Sequence, residues 1–162
     1  MAEYGIKQLF QTKLTANDST AKEGLGVLRF EGNKVYQYVQ IVDKAVTEGD
    51  SVCPASISEG IVTADRVGGS QLAFKVKGVA IGAITSGYYG WILKQGIGTV
   101  QCDGGVAAGD GLIPHATADG HADTVVAASD AANTEYRKFG FALTADAGTN
   151  DGDTATADIS CM

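Results

Sequence analysis

The residue types that most often carry chemistry are few in this chain, and the histidines come first. His115 and His121 are the only two in 162 residues, and Asp119 and Asp123 lie beside them. The stretch is rich in Ala, Gly and Asp, has no apolar side chain to shield a site and lacks a recognised metal-ligand spacing. We therefore expect no metal here. Asp119 followed by Gly120 is a turn signal, which predicts a solvated hairpin loop.

A second group of carboxylates lies between residues 146 and 158. Asp146, Asp151 and Asp153 suggest a calcium loop, but their intervals do not match that motif and no bidentate glutamate follows them. The glycine pairs at 24–26 and 96–98 are not completed to a phosphate-binding motif. The sequence therefore predicts no metal, nucleotide or other cofactor.

Nucleophilic catalysis has weak candidates. Ser86 lies near glycines but not in G-x-S-x-G, and its base would have to be a histidine of the 115–121 loop. We therefore predict that the protein is not an enzyme, with no catalytic residues. A minor barrel-forming hydrolase remains the enzymatic alternative, and it would need Ser86, His115 or a cysteine to meet in one pocket.

Three cysteines, Cys53, Cys102 and Cys161, are widely spaced and odd in number. This pattern fits neither a disulfide framework nor a C-x-x-C metal site. It indicates reduced thiols in a protein made in a cytosol, with one bridge between two of them as the alternative.

The distribution of charge excludes further classes. The net charge is −7, and residues 102–162 carry ten acidic groups against only Arg137 and Lys138. Such a surface repels phosphate backbones, and the basic residues form no cluster, so we expect no direct nucleic-acid binding. The chain has no apolar run of 18 residues and no secretory signal pattern in its first 30, so we expect neither membrane insertion nor export.

The elements that must position these residues are predicted to be strands. The strongest signal is a hairpin over 26–42, in which Gly32 and Asn33 suit a tight type I′ turn between runs of β-branched and aromatic residues. Further strands are predicted near 60–67, 71–84 and 88–100. The fold class is therefore all-β, a compact barrel or sandwich.

Apolar residues near the start of the chain predict an N-terminal arm. Ile6, Leu9, Phe10 and Leu14 fit one helix face, but the same residues suit an extended arm, so the sequence leaves that choice open. A polar stretch follows them. We therefore predict an arm and linker over 1–23 whose four apolar side chains bind a partner, followed by one β domain over 24–162.

An internal repeat is the main organisational signal. Residues 46–54 align with 106–114 through Val, Gly, Asp and Pro at an offset of 60, and 78–87 align loosely with 140–148 at an offset near 62. Each copy reads as strand, Gly-Asp turn and strand. This predicts two related halves of about 60 residues, at 35–95 and 96–160, with chance similarity as the alternative.

Three aromatic residues lie close together at 88–91. Tyr88, Tyr89 and Trp91 alternate with glycine at the start of a predicted strand. They are candidates for contacting a partner, a sugar or a peptide, and the alternative is packing in a core or a subunit interface.

Taken together, these runs resemble a known type of protein. The segments 32–40, 45–52, 78–92 and 107–112, and above all the G-V-A, turn, Y-G-W strand pair, are similar to the small Gly- and Ala-rich capsid decoration, or cement, proteins of tailed bacteriophages. The resemblance covers roughly residues 24–145 and is one of pattern.

The resemblance implies a structural virion protein. Its expected partner is the major capsid protein, whose outer lattice it would decorate and stabilise, and its expected state is a homo-oligomer, a trimer. It would be located on the capsid outer surface after assembly in the host cytoplasm. A receptor- or glycan-binding module of a virion head fibre or tail is the alternative.

Overall fold

Ten strands make up the regular structure of the computed structural model, which describes residues 10–65, 75–103, 105–115, 117–125, 138–146, 148 and 151–161. These ranges contain no helix, and hence none that could cross a membrane. The strands are β1 (Leu28–Glu31), β2 (Lys34–Ile41), β3 (Ser51–Pro54), β4 (Ile61–Thr63), β5 (Gly78–Ala80), β6 (Tyr89–Asp103), β7 (Gly111–Pro114), β8 (Ala122–Thr124), β9 (Gly140–Ala142) and β10 (Asp151–Ser160).

Five strands close into a barrel, so the all-β barrel prediction is confirmed. The pairing runs β2, β4, β3, β5, β6 and back to β2. Only the β2–β4 pair is parallel. β1 adds to β2 outside this circuit, and β1 has no second strand neighbour among the described residues.

A second circuit of five strands follows from the length of β6. Its C-terminal half pairs with β10, after which the pairing continues through β9, β7 and β8 and returns to β6. The closing contact, Cys102 to Ala122, is again parallel. β6 therefore belongs to both circuits. Each circuit contains one parallel pair and four antiparallel pairs.

The Gly-Asp turns occupy equivalent places in the two circuits. Asp50 Oδ2 accepts a hydrogen bond from Thr47 N at 2.7 Å, and Asp110 Oδ2 accepts one from Ala107 N at 2.9 Å. β3 and β7, which follow these turns, are offset by the 60 residues of the sequence repeat. The division into an arm, one domain and two halves stays a prediction.

The buried side chains that the structure describes form two clusters. One lies within the first barrel and is small and aliphatic: Val39, Ile41, Val46, Val52, Val62, Ala64, Ala80, Ile84 and Ile92. The other is larger, holds the buried aromatic residues and extends into the second circuit, where Leu112, Ala142, Ala157 and Ile159 belong to it. Alternation along β6 connects them, because Ile92 belongs to the first cluster and its neighbours Trp91 and Leu93 to the second.

The predicted hairpin is confirmed, but its turn type was wrong. β1 and β2 pair from Glu31 with Lys34, which leaves Gly32 and Asn33 as the turn. Gly32 has φ of 60°, whereas Asp43 is the one non-glycine residue with positive φ in the described ranges. A positive φ at the first central position alone fits type II′, which needs glycine only there.

The remaining strand predictions are met in part. β4 lies within the predicted 60–67 and β5 within 71–84, although 66–74 lie outside the described residues. The strand predicted at 88–100 is β6, which continues to Asp103.

Candidate interaction surfaces

The described part of the N-terminal arm folds back onto the barrel. We call residues 10–18 the strap. Its far end forms a bridge with β6, in which Asp18 and Tyr89 exchange backbone hydrogen bonds of 3.0 and 2.9 Å. None of the strap is helical, so the choice that the sequence left open is resolved for these residues in favour of an irregular, non-helical course.

Trp91 is the anchor of the strap. Its side chain is fully buried, with Phe10 packed edge-on at 5.3 Å and Tyr38 at 5.2 Å between ring centroids. The indole Nε1 donates a hydrogen bond of 2.9 Å to Thr12 Oγ1. The Arg29 guanidinium lies 5.0 Å from the Phe10 ring centre and 5.7 Å from that of Trp91. The indole therefore satisfies both its apolar and its polar requirements within this chain.

The Glu23 side chain binds the backbone of the same stretch of the strap. Its Oε1 accepts hydrogen bonds from Gln11 N at 2.6 Å, Thr12 N at 3.0 Å and Thr12 Oγ1 at 3.1 Å. Arg29 donates to Thr12 O at 2.9 Å and forms an ion pair with Glu31. Charge-assisted bonds of this kind are stronger than neutral ones, so residues 10–12 are fixed on the barrel.

The seven residues predicted to bind a partner differ in how far they are buried. Phe10 and Leu14 pack against the core of their own chain, and Trp91 is fully buried, with Phe10 packed edge-on against its ring. Tyr88 and Tyr89 are half-buried. Ile6 and Leu9 lie outside the described residues. A partner-binding role for these residues stays a prediction.

The exposed apolar side chains were not among the predicted site residues. On β1, Leu28 is 38% and Phe30 69% exposed. Their spacing of two places both on one face of an edge strand, and this alternation was visible in the sequence. Among the described residues, the other large exposed apolar side chains are Leu25, Ile57, Ile97, Phe141 and Leu143.

The histidine loop differs from the solvated loop that was predicted. A β7–β8 hairpin does form, but the His115 side chain is only 19% exposed and its Nε2 lies 3.1 Å from Asp103 Oδ2. His115 Nδ1 accepts a backbone hydrogen bond of 2.8 Å from Ala118. The loop also contacts the first barrel, because Lys44 pairs with Asp119 at 3.0 Å. Within the ranges described, no three His, Cys, Asp or Glu side chains are grouped closely enough to hold a metal ion.

The three cysteines are buried, and none of them forms a disulfide. Burial raises the pKa of Cys102 to about 11 and that of Cys161 to about 12. A raised pKa leaves little thiolate, the reactive form, at neutral pH. The prediction of reduced thiols is met, and these two are protected from reaction by the fold.

Stability should therefore fall with rising pH above about 9. Unfolded thiols ionise near pH 8.5 while folded Cys102 and Cys161 keep their protons, so the unfolded state binds fewer protons there and is favoured as pH rises. Burial also raises the pKa of Tyr36 and Tyr38, which adds to the trend above about pH 10. The measurement is urea unfolding between pH 7 and 10.5. A Cys102→Ala/Cys161→Ala variant should show a flatter slope, and an unchanged slope would contradict the assignment.

The structure thus belongs to the all-β class, with a closed five-stranded barrel, further strands and a strap held across the barrel. No protein-family model matches the chain, and no curated protein matches it either. Among solved structures it is similar to the head fiber gp8.5 N base of bacteriophage phi29, at 17% sequence identity and a TM-score of 0.48, over 78% of this chain and 94% of that chain. At this level the similarity assigns no function.

Proposed function

We propose that this chain is a structural protein of a tailed-bacteriophage head. It binds the outer surface of the major capsid protein lattice, stabilises the shell as a homo-oligomer, a trimer, and carries out no chemistry. The proposal rests on the sequence resemblance over residues 24–145 and on how the structure uses its polar and apolar side chains.

The polar groups that could do chemistry serve the fold. Asp50 and Asp110 cap the two Gly-Asp turns, and Asp103 pairs with His115. Asp146, a candidate calcium ligand in the sequence, accepts a hydrogen bond of 3.2 Å from Val106 N. Polar side chains that form their hydrogen bonds and ion pairs within the fold are typical of a structural protein.

The observation that carries the proposal is the apolar face of the edge strand β1. An edge strand presents unpaired backbone N–H and C=O groups to which a partner strand can add. Arg29 and Glu31 pair with each other on β1, and the alternate positions carry Leu28 and Phe30, both exposed. We infer that β1 is the surface that contacts the shell.

A glycan- or receptor-binding role receives less support. A sugar-binding site would need Tyr88, Tyr89 and Trp91 in an open groove, because sugars stack on exposed aromatic faces. Trp91 is instead fully buried, and the other two are half-buried.

The proposal predicts that the chain protects phage heads from heat. Because a protein that binds only the intact shell stabilises it by mass action, re-adding the chain to stripped heads should raise their disruption temperature. A Leu28→Ser/Phe30→Ser variant should bind at least about tenfold more weakly, since burial of two such side chains contributes about 2–4 kcal/mol.

Leu25→Ser is the matched control, because Leu25 is 40% exposed, close to the 38% of Leu28, but lies before β1. Occupancy is read from the band intensity of the chain on purified heads. Equal disruption temperatures with and without bound chain would refute stabilisation, and equal occupancy by the β1 variant would refute this surface.

A further inference from the structure

One end of the first barrel is open and lined by lysines. β2, β4 and β5 begin at this end, and β3 ends there. The opening encloses about 230 Å³, and three of its lining residues are Lys75, Lys77 and Lys94. We call it the lysine mouth.

The lysine mouth combines positive charge with an exposed apolar side chain. In the part of the chain that the structure describes, none of its three lysines has a carboxylate oxygen within 4 Å. Ile57, on its rim, is 97% exposed. Glu59 is the one acidic residue among the described residues that line it. The mouth is therefore suited to a partner surface that is apolar and carries negative charge.

The second circuit presents a surface that combines exposed apolar side chains with an exposed carboxylate. Asp158 on β10 lies in register between Ile97 on β6 and Phe141 on β9. Ile97 is 45%, Phe141 50% and Leu143 47% exposed, and Asp158 is exposed as well. The Lys138 ammonium lies 4.9 Å from the centre of the Phe141 ring. We call this surface the Phe141 face.

We propose that the lysine mouth of one copy binds the Phe141 face of a second copy of this chain. Asp158 supplies the carboxylate that the lysines lack, and the apolar side chains around it cover Ile57. The distribution of charge along the chain agrees with this pairing. Residues 102–162 carry ten acidic groups and two basic ones, whereas residues 1–101 carry ten basic and nine acidic groups.

The contact is head-to-tail, because two different surfaces meet. Such a contact leaves one mouth and one face free in every dimer, so it continues until a ring closes or a filament forms. Neither surface includes β1. The inference can therefore fail while the proposed shell binding holds, and the reverse is also true.

Two variants of the full chain test the inference by light scattering and sedimentation velocity. A neutral mouth variant, Lys75→Ser/Lys77→Ser, and a charge-reversed face variant, Asp158→Lys, should each be monomeric at concentrations where the original chain assembles, a loss of at least about tenfold in self-affinity. Mixed together they should form dimers and nothing larger, because the mouth variant keeps its face, the face variant keeps its mouth, and the neutral mouth does not attract the altered face.

Glu48→Lys is the matched control, since Glu48 is exposed and lines neither surface, and it should leave assembly unchanged. Circular dichroism and thermal melting of each variant show that it is folded. A monomeric original chain, variants that assemble normally, or a mixture that forms the full assembly would each overturn the proposal.

Discussion

Replacement of Trp91 by alanine is expected to lower the free energy of unfolding by about 3–5 kcal/mol, the range for removing a large buried aromatic side chain. The side chain is fully buried and packs against Phe10 and Tyr38. Its loss would leave a cavity and would also remove the hydrogen bond to Thr12, on which the strap depends. The expected effect is therefore near the upper end of this range.

Urea unfolding followed by circular dichroism measures this loss. Phe30→Ala is the control, because that side chain is 69% exposed and its removal should change stability by no more than about 0.5 kcal/mol. If Trp91→Ala cost less than about 1 kcal/mol, the ring would not be the anchor of the strap.

The local part of the fold could be predicted from the sequence. The hairpin of β1 and β2 joins neighbours in the chain, so alternation of apolar residues and one glycine turn were enough to indicate it. The turn type was missed because Gly32 and Asn33 both tolerate positive φ, whereas the fold needs it only at Gly32.

The double role of β6 could not be predicted in the same way. Its residues pair with β5, the preceding strand in the chain, and also with β2, β8 and β10, which are not its neighbours in the chain. Composition and alternation indicate that a segment is a strand, but they do not name its partners. The predicted length, ending at residue 100, also stopped short of Cys102, whose pairing with Ala122 closes the second circuit.

The aromatic site was predicted as a group but not with its true neighbours. Tyr88, Tyr89 and Trp91 were visible as a cluster, yet Trp91 is buried by Phe10 and Tyr38, which are 81 and 53 positions away. The apolar pattern of the arm indicated that Phe10 and Leu14 are buried against another surface. It did not indicate that this surface is the barrel of their own chain.

The repeated Gly-Asp turn allows the two circuits to be compared by one substitution. Gly49 and Gly109 have nearly the same backbone conformation, with φ of 92° and 96°. Alanine at either position would carry the strain of the left-handed region, about 1–2 kcal/mol. Their surroundings differ. A Cβ at Gly49 would lie 2.9 Å from the backbone N of Gln101 on β6, whereas a Cβ at Gly109 would meet none of the described residues within 4 Å.

We therefore expect Gly49→Ala to destabilise the protein by about 1–3 kcal/mol more than Gly109→Ala, the usual cost of overpacking. Because the strain is shared, the difference between the two unfolding free energies isolates the contact of the first turn with β6. Equal losses of unfolding free energy, measured in parallel urea titrations, would show that β6 shifts at Gln101 to accept the added methyl group. A larger loss at Gly49 would show that β6, the strand common to both circuits, is held rigidly where the first Gly-Asp turn packs on it.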